Sequence, residues 1–204
     1  VIWGWLPALL WVAIGTLPLW SSIQDDIRSG DVAYLLPRPM SYIGYKLAEG
    51  YGRMAARMAV LGVVSLGGAW LFSGSLPSAP LGLLFAIPLA LLASCVLVIF
   101  YAWVGLMAFW LQDAQPVYFI FQKLLFVLGG LILPLSIYPD WLASFSAWTP
   151  FSAILYGPAQ AAYQAELTAV VWTGVRLLLW GGFATLLLAW TYAKALRGLE
   201  VNGG

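Results

Sequence analysis

The residues that could perform covalent chemistry are few in this chain. It has no His and a single Cys, Cys95, so Ser-His and Cys-His nucleophile pairs are excluded, as are most soft-metal sites. No Gly-Lys dipeptide occurs, which excludes a Walker-type phosphate loop. The carboxylates of Asp25, Asp26 and Asp113 are the only candidates for an acid–base pair, and no His supports them. An enzyme is therefore the least favoured function.

The charged residues are concentrated in one stretch, residues 21–57, which holds more than half of them. The whole chain is 63% hydrophobic and only 8% charged, whereas soluble globular chains carry about 25% charged residues. Lipid is therefore the main solvent, and the charged stretch is the part that meets water and a partner. A net charge of +1 gives no argument for nucleic acid. The charged residues of the stretch are Asp25, Asp26, Arg28, Asp31, Arg38, Lys46, Glu49, Arg53 and Arg57.

Five apolar runs are long enough to cross a bilayer as helices, because a spanning helix needs about 20 residues. They predict an all-α integral membrane protein with one transmembrane domain over residues 1–204. No basic segment precedes the first run, so it does not resemble a signal peptide. The predicted spans are residues 1–20, 55–72, 81–111, 117–137 and 167–193.

The distribution of Lys and Arg predicts the orientation. Both residue types occur in the charged stretch and in the C-terminal tail, and neither occurs in the loops 73–80 and 138–166. The segment 21–54 and the C-terminus are therefore expected in the cytoplasm. Lys123 and Arg176 fall inside predicted spans, but the helical rise places each near one face of the bilayer core, where it can snorkel. The alternative, that they line a substrate path, stays open.

The cytoplasmic segment has the pattern of a rigid elbow. Ser29-Gly30 should end the helix that continues from the first span, and Asp31 is predicted to be the N-cap of a short helix that follows. Pro37 and Pro39 should end that short helix, because neither can donate a backbone hydrogen bond. Ser41 is predicted to cap the next helix. A short rigid helix between two spans is suited to receive force from a partner outside the membrane.

Residues 138–166 predict a hairpin that re-enters the membrane from the outer side. Pro139, Pro150 and Pro158 mark the breaks of two expected short helices. Irregular backbone at membrane depth must be shielded by protein or face a water-filled cavity, so the hairpin is expected to act as a lid over a pathway. The residues expected to pack it are Trp141, Phe145, Trp148, Phe151 and Tyr156.

Three quoted segments, about a third of the chain, resemble a known family. DDIRSGDVAYLLPRPMSYIGYKLAEGYG, residues 25–52, is similar to the segment between the second and third spans of bacterial ABC-type exporter permeases. The closest group is the small single-domain type-2 class, encoded in pairs beside an ATPase gene. QKLLFVLGGLILPLSIYPDWL, residues 122–142, and WTPFSAILYGPAQ, residues 148–160, resemble the fifth span and outer re-entrant hairpin of that group.

The resemblance implies a six-span permease fold whose first span is missing from this chain, in the bacterial cytoplasmic (inner) membrane. Two permeases, identical or related, would form an export pathway as a dimer surrounded by membrane lipid. Separate ATPase subunits would bind ATP and Mg and hydrolyse the ATP, and this chain would bind no cofactor or metal. The short helix would be the coupling helix. Its expected ATPase-coupling residues are Arg28, Asp31, Tyr34, Leu35, Leu36 and Arg38.

One alternative to an exporter is a structural or assembly subunit of a larger membrane complex, without a transport pathway. It would explain the apolar composition and the shortage of catalytic groups, but not the elbow or the charge-poor outer hairpin. Co-purification of an ATPase with the chain would separate the two. The substrate stays open among lipids, drugs, peptides and glycans.

Overall fold

All regular structure in the described part of the chain is helical, as the composition predicts. The computed structural model describes residues 19–35, 41–73, 80–133, 135–164 and 166–202. Only the last two residues of the predicted span 1–20 fall in this part. The helices are α1 (Leu19–Ser29), α2 (Asp31–Leu35), α3 (Tyr42–Ser73), α4 (Pro80–Leu106), α5 (Ala108–Leu111), α6 (Gln115–Leu128), a 3₁₀ turn (Leu135–Ile137), α7 (Asp140–Trp148), α8 (Pro150–Ile154), α9 (Tyr156–Gln164) and α10 (Leu167–Asn202).

Two helical stretches of the described chain are long and apolar enough to cross a membrane. They are Gly82–Leu111, which covers α4 and α5, and Leu167–Arg197 within α10. The predicted span 55–72 forms the second half of α3, which has 32 residues. The predicted span 117–137 is not one continuous helix. Instead α6 has only 14 residues, about 21 Å, and the chain turns after it at Gly130, whose φ is +73°.

The central helix is α4, which packs against α1, α3, α9 and α10. Small residues allow two of these contacts to be close. A Cβ added to Gly82 would lie 2.6 Å from the carbonyl oxygen of Ala162 in α9. A Cβ added to Gly105 would lie 2.9 Å from the carbonyl oxygen of Trp20 in α1. Thus α4 holds α1 at one of its ends and α9 at the other.

Aromatic side chains connect α1, α4, α6 and α8 inside the protein. The rings of Trp20 and Tyr118 stack with centroids 4.6 Å apart. The ring of Phe121 lies 5.8 Å from that of Tyr101 and 5.4 Å from that of Phe151, both in edge-on geometry. Such pairs contribute about 0.5–1.5 kcal/mol beyond the burial of their area. They make α6 the link between α1 and the outer hairpin.

Large apolar side chains cover the outer surface of α3 and α10. More than half of the side chain is exposed at each of several positions along both helices. An apolar surface of this extent is not stable in water and fits contact with lipid or with another subunit. The exposed residues include Val60, Val63, Val64, Leu71, Leu178, Leu179, Leu186 and Trp190.

The outer hairpin contains three short helices, α7, α8 and α9, where two were predicted. Pro139 and Pro150 precede or begin helices as expected, but Pro158 lies inside the first turn of α9, where proline is tolerated. Of the five aromatic residues expected to pack the hairpin, three are exposed on the surface of this chain. Only Phe151 and Tyr156 are partly buried. The exposed ones are Trp141 (72%), Phe145 (58%) and Trp148 (76%), which share the outer face of α7.

Candidate functional site

The elbow between α1 and α2 is built around Gly30. Its φ is +80°, a conformation that glycine adopts without strain and other residues rarely do. The Gly30 N–H donates to the carbonyl of Ile27, and the Gly30 carbonyl accepts from the N–H of Ala33 at 3.0 Å. The predicted break at Ser29-Gly30 is therefore confirmed. It turns the chain sharply between two helices that keep their own hydrogen bonds.

The short helix α2 is not capped as the sequence suggested. It begins at Asp31 itself, with Gly30 in the cap position, so the prediction of Asp31 as N-cap is wrong. The Ser29 hydroxyl donates to the Asp31 carboxylate at 2.8 Å and accepts the Asp31 N–H at 3.4 Å. The elbow requires a positive φ at Gly30. Glycine therefore occupies the cap position, although a residue with a capping side chain is usually preferred there. The Asp31 carboxylate still lies at the positive end of the helix dipole.

The side chains of α2 divide between the protein and its surroundings. Val32 is only 3% exposed and fixes α2 to the rest of the chain, whereas Tyr34 is 80% exposed. Asp31 is exposed, and Leu35 is partly buried. Tyr34 and Leu35 are the two apolar coupling residues that the structure describes. Of these, Tyr34 is the one fully accessible to a partner. Leu36 and Arg38, with the predicted proline stop, lie outside the described residues.

A buried ion cluster joins α1 to α3 above the elbow. Lys46 of α3 is 4% exposed, and its Nζ lies 2.7 Å from the Asp26 carboxylate and 2.7 Å from the Ser22 hydroxyl, both on α1. Glu49 contributes a second carboxylate at 3.7 Å. The Tyr42 hydroxyl donates to Asp26 at 2.9 Å. Burial and this hydrogen bond raise the pKa of Tyr42, which therefore stays a protonated donor.

The opposite side of α1 is bonded to residues 112–114, the hinge between α5 and α6. The Gln24 side-chain carbonyl, inside the protein, accepts the backbone N–H of Ala114 at 2.6 Å. The Arg28 Nε donates to the carbonyl of Gln112, and its Nη2 lies 3.7 Å from the Asp113 carboxylate. Arg28 is therefore engaged within its own chain. We call α1 with these contacts, to α3 on one side and to the hinge on the other, the α1 bracket.

The comparison with protein families decides the identity. Residues 8–203 match the family described as ABC-2 family transporter protein, which is nearly the whole chain. The chain belongs to this family. The resemblance to ABC-type permeases is therefore confirmed, and the protein is a membrane component of an ABC transporter, in a family that lacks nucleotide-binding domains. No curated protein and no solved structure matches the chain.

In this ABC-2 protein two of the three carboxylates considered for catalysis face different cations. Asp26 forms an ion pair with Lys46 between α1 and α3, and Asp113, in the loop before α6, lies 3.7 Å from Arg28. Neither ion pair resembles two carboxylates placed for acid–base catalysis.

The two cations inside predicted spans have different surroundings. Lys123 is exposed, with its Nζ 5.9 Å from the centre of the Phe126 ring. Arg176 is partly buried and is bonded to the outer hairpin of the ABC-2 protein. Its Nη2 donates to the Thr149 carbonyl at 3.2 Å and to the Ser152 hydroxyl at 2.6 Å. The first of these bonds gives a donor to a backbone carbonyl at the break between α7 and α8. The sequence does not predict this contact.

Proposed function

We propose that the chain is the membrane-spanning permease subunit of an ATP-driven ABC exporter. Two copies, or this chain and a related one, form the substrate pathway, and separate ATPase subunits bind on the cytoplasmic side. The proposal includes five spans in this chain, a cytoplasmic elbow and C-terminus, and an outer hairpin over the pathway. Family membership supports the general role. The α1 bracket is the observation that supports coupling through α2.

The bracket gives α2 a connection to the helices that would have to move. α2 follows α1 with only Gly30 between them. On one side α1 is fixed to α3 by the Lys46–Asp26 pair, and on the other it is fixed to the start of α6 by Gln24. A push on α2 by an ATPase would therefore displace α3 and α6 together. Buried charged bonds suit this task because they are lost only at a large cost in free energy.

The exposed surface of α2 is small enough that one residue should dominate the docking. Tyr34 is the large apolar side chain that this helix exposes. Aromatic residues that fill a pocket of the partner commonly carry most of the binding energy of an interface. Val32 has the opposite role, because its burial keeps α2 seated on its own chain when force is applied.

The proposed lid is the outer hairpin. Its helix α8 packs against α4, α6 and α10, and α9 packs along α4. Its helix α7 exposes an aromatic face, which in a membrane would contact lipid or the second permease. Movement of α6 would reach the hairpin directly through the contact between Phe121 and Phe151.

The test compares Tyr34→Ala with Tyr45→Ala, a tyrosine that is 46% exposed at the start of α3. The permease is co-expressed with its ATPase and carries a fluorophore at Ser144 on α7, in a Cys95→Ala background. Tyr34→Ala should weaken ATPase co-purification and reduce the ATP-dependent fluorescence change, and Tyr45→Ala should change neither. If no ATPase co-purifies with the unmutated chain, a structural subunit becomes the better interpretation. Equal behaviour of the two variants would refute docking through α2.

A further inference from the structure

Arg176 is a partly buried cation whose partners in the described chain are all neutral. The hydrogen bonds from its Nη2 go to a backbone carbonyl and to a hydroxyl. Arg28, Lys46 and Arg53 each face a carboxylate, but no Asp or Glu lies within ion-pair distance of Arg176 in that part of the chain. A charge at membrane depth without a counter-ion is costly. The compensating anion is therefore expected from outside this chain.

The guanidinium keeps donors for such an anion. An arginine has five N–H groups in a planar fork, and within the described residues only Nη2 of Arg176 donates to the protein. The single N–H of Nε and the two N–H groups of Nη1 have no acceptor among the described residues, so three charged donors remain for a phosphate.

A buried hydroxyl in the same network also lacks a partner. The carbonyl of Ser146 accepts from the Ser152 hydroxyl at 2.6 Å and from the Thr149 hydroxyl at 2.7 Å. The Ser146 hydroxyl itself is fully buried and bonds to no described residue. A buried hydroxyl without a partner lowers stability, so the break between α7 and α8 depends on its remaining hydrogen bonds, including those from Arg176.

The position along α10 places Arg176 in the outer half of the membrane. It precedes Lys194 by 18 residues, or about 27 Å of helix, while the hydrocarbon core is about 30 Å thick. A cation at this depth draws phosphate groups inward and thins the bilayer locally. On the same helix Val175, Leu178 and Leu179 are exposed and apolar, which provides a surface for acyl chains beside the guanidinium.

We propose that Arg176 binds the phosphate of an anionic phospholipid from the outer leaflet. The adjacent apolar surface favours a lipid over a free phosphate ion. The bound phosphate would neutralise the guanidinium that holds the break between α7 and α8, so the hairpin would depend on outer-leaflet charge. This inference rests on the proposed orientation, in which α10 crosses the membrane with its C-terminus in the cytoplasm, and it does not depend on ATPase coupling.

The test measures lipid binding to the purified full-length chain in detergent by native mass spectrometry. Phosphatidylglycerol and phosphatidylcholine are titrated separately, and glycerol phosphate is added as a soluble competitor. The unmutated chain should prefer phosphatidylglycerol. Arg176→Gln should weaken that binding on the order of tenfold, as expected for the loss of charge-assisted hydrogen bonds. Lys123→Gln removes the same charge from an exposed position on α6 and should change nothing.

Arg176→Lys keeps the test decisive if Arg176→Gln does not fold. Lysine keeps the charge but offers three donors from one nitrogen in place of the planar guanidinium. It should bind phosphatidylglycerol severalfold more weakly than the unmutated chain and still prefer it to phosphatidylcholine. Equal phosphatidylglycerol binding by the unmutated chain, Arg176→Lys and any Arg176→Gln that folds would overturn the proposal. Displacement of the lipid by glycerol phosphate at similar concentration would overturn the assignment to a lipid.

Discussion

Lys46→Met is the most informative perturbation of the α1 bracket, because it removes a buried charge and nearly preserves side-chain length. Loss of one partner from a fully buried ion pair costs about 3–5 kcal/mol. Here the Asp26 and Glu49 side chains keep 20% and 23% exposure, so water can solvate part of the stranded charge. The Tyr42 hydroxyl also still donates to Asp26. We therefore expect a loss of about 2–3 kcal/mol, or roughly 5–10 °C in Tm.

The assay is thermal unfolding of the purified chain in one detergent, with Arg53→Met, Asp26→Asn and the Lys46→Met/Asp26→Asn double variant for comparison. Arg53→Met removes a cation that pairs with Glu49 at the surface, where its side chain is 44% exposed, and should cost less than about 1 kcal/mol. Adding Asp26→Asn to Lys46→Met removes the stranded charge and should recover most of the stability, since loss of both partners is far milder.

Two results would refute this reasoning. The first is a Lys46→Met protein that melts no lower than Arg53→Met, which would mean that the pair is solvated. The second is a double variant whose loss equals the sum of the single losses, because independent effects would show that Lys46 and Asp26 do not act as a pair.

Two further predictions concern the elbow and the orientation. Gly30→Ala should strain a residue with φ of +80° by about 1 kcal/mol without a clash, since no atom lies within 4 Å of the added Cβ, so amide exchange in α2 should accelerate and Tm should fall by no more than about 2–4 °C. Unchanged exchange would show that the elbow is not fixed by this residue. In a Cys95→Ala background, Ser144→Cys should react with a membrane-impermeant thiol reagent in intact cells and Ser29→Cys should not, because basic loops stay inside. The reverse pattern would invert the proposed orientation.

Local features of the elbow could be predicted from the sequence because their causes are local. The break at Gly30 follows from the conformational freedom of glycine. The cap at Ser41 is confirmed by the Gly44 N–H, which donates to the Ser41 hydroxyl at 3.1 Å. Asp31 was misassigned because a good capping residue stood beside a glycine that the backbone required at the cap. The start of a helix depends both on the capping side chain and on the backbone conformation at the cap position. The sequence pattern identifies only the capping side chain.

Features that depend on tertiary contacts could not be predicted. Lys46 was interpreted as one of several solvated cations of the charged stretch, because its partner Asp26 lies 20 residues earlier and pairs with it only once α1 and α3 pack together. The role of Arg176 was missed for the same reason, since Thr149 and Ser152 are distant in sequence. Charge counts predict which segments meet water, but they do not reveal which charges become paired.

The helix α6 is short enough to act as a rigid connection between the bracket and the hairpin. Its preceding residue, Ala114, is bonded to Gln24, and Phe121, seven residues later and about 10 Å away, contacts Phe151 of α8. Movement of α1 should therefore reach the hairpin through this aromatic contact, beside the hydrogen bond from the Tyr138 hydroxyl to the Val127 carbonyl of α6. Phe151→Leu keeps an apolar side chain but loses the edge-on ring contact.

In Phe151→Leu, the ATPase should still bind and hydrolyse ATP, while the ATP-dependent fluorescence change at Ser144 should fall. Phe109→Leu is the matched control, because it removes a similar edge-on pair, with Trp110, from α5 and should leave the signal intact. A full response in Phe151→Leu would exclude this contact as the route. Movement would then have to pass through the other contacts of α6, such as that of Tyr138 with Val127, or through α4, which packs against α1 near Gly105 and against α9 near Gly82.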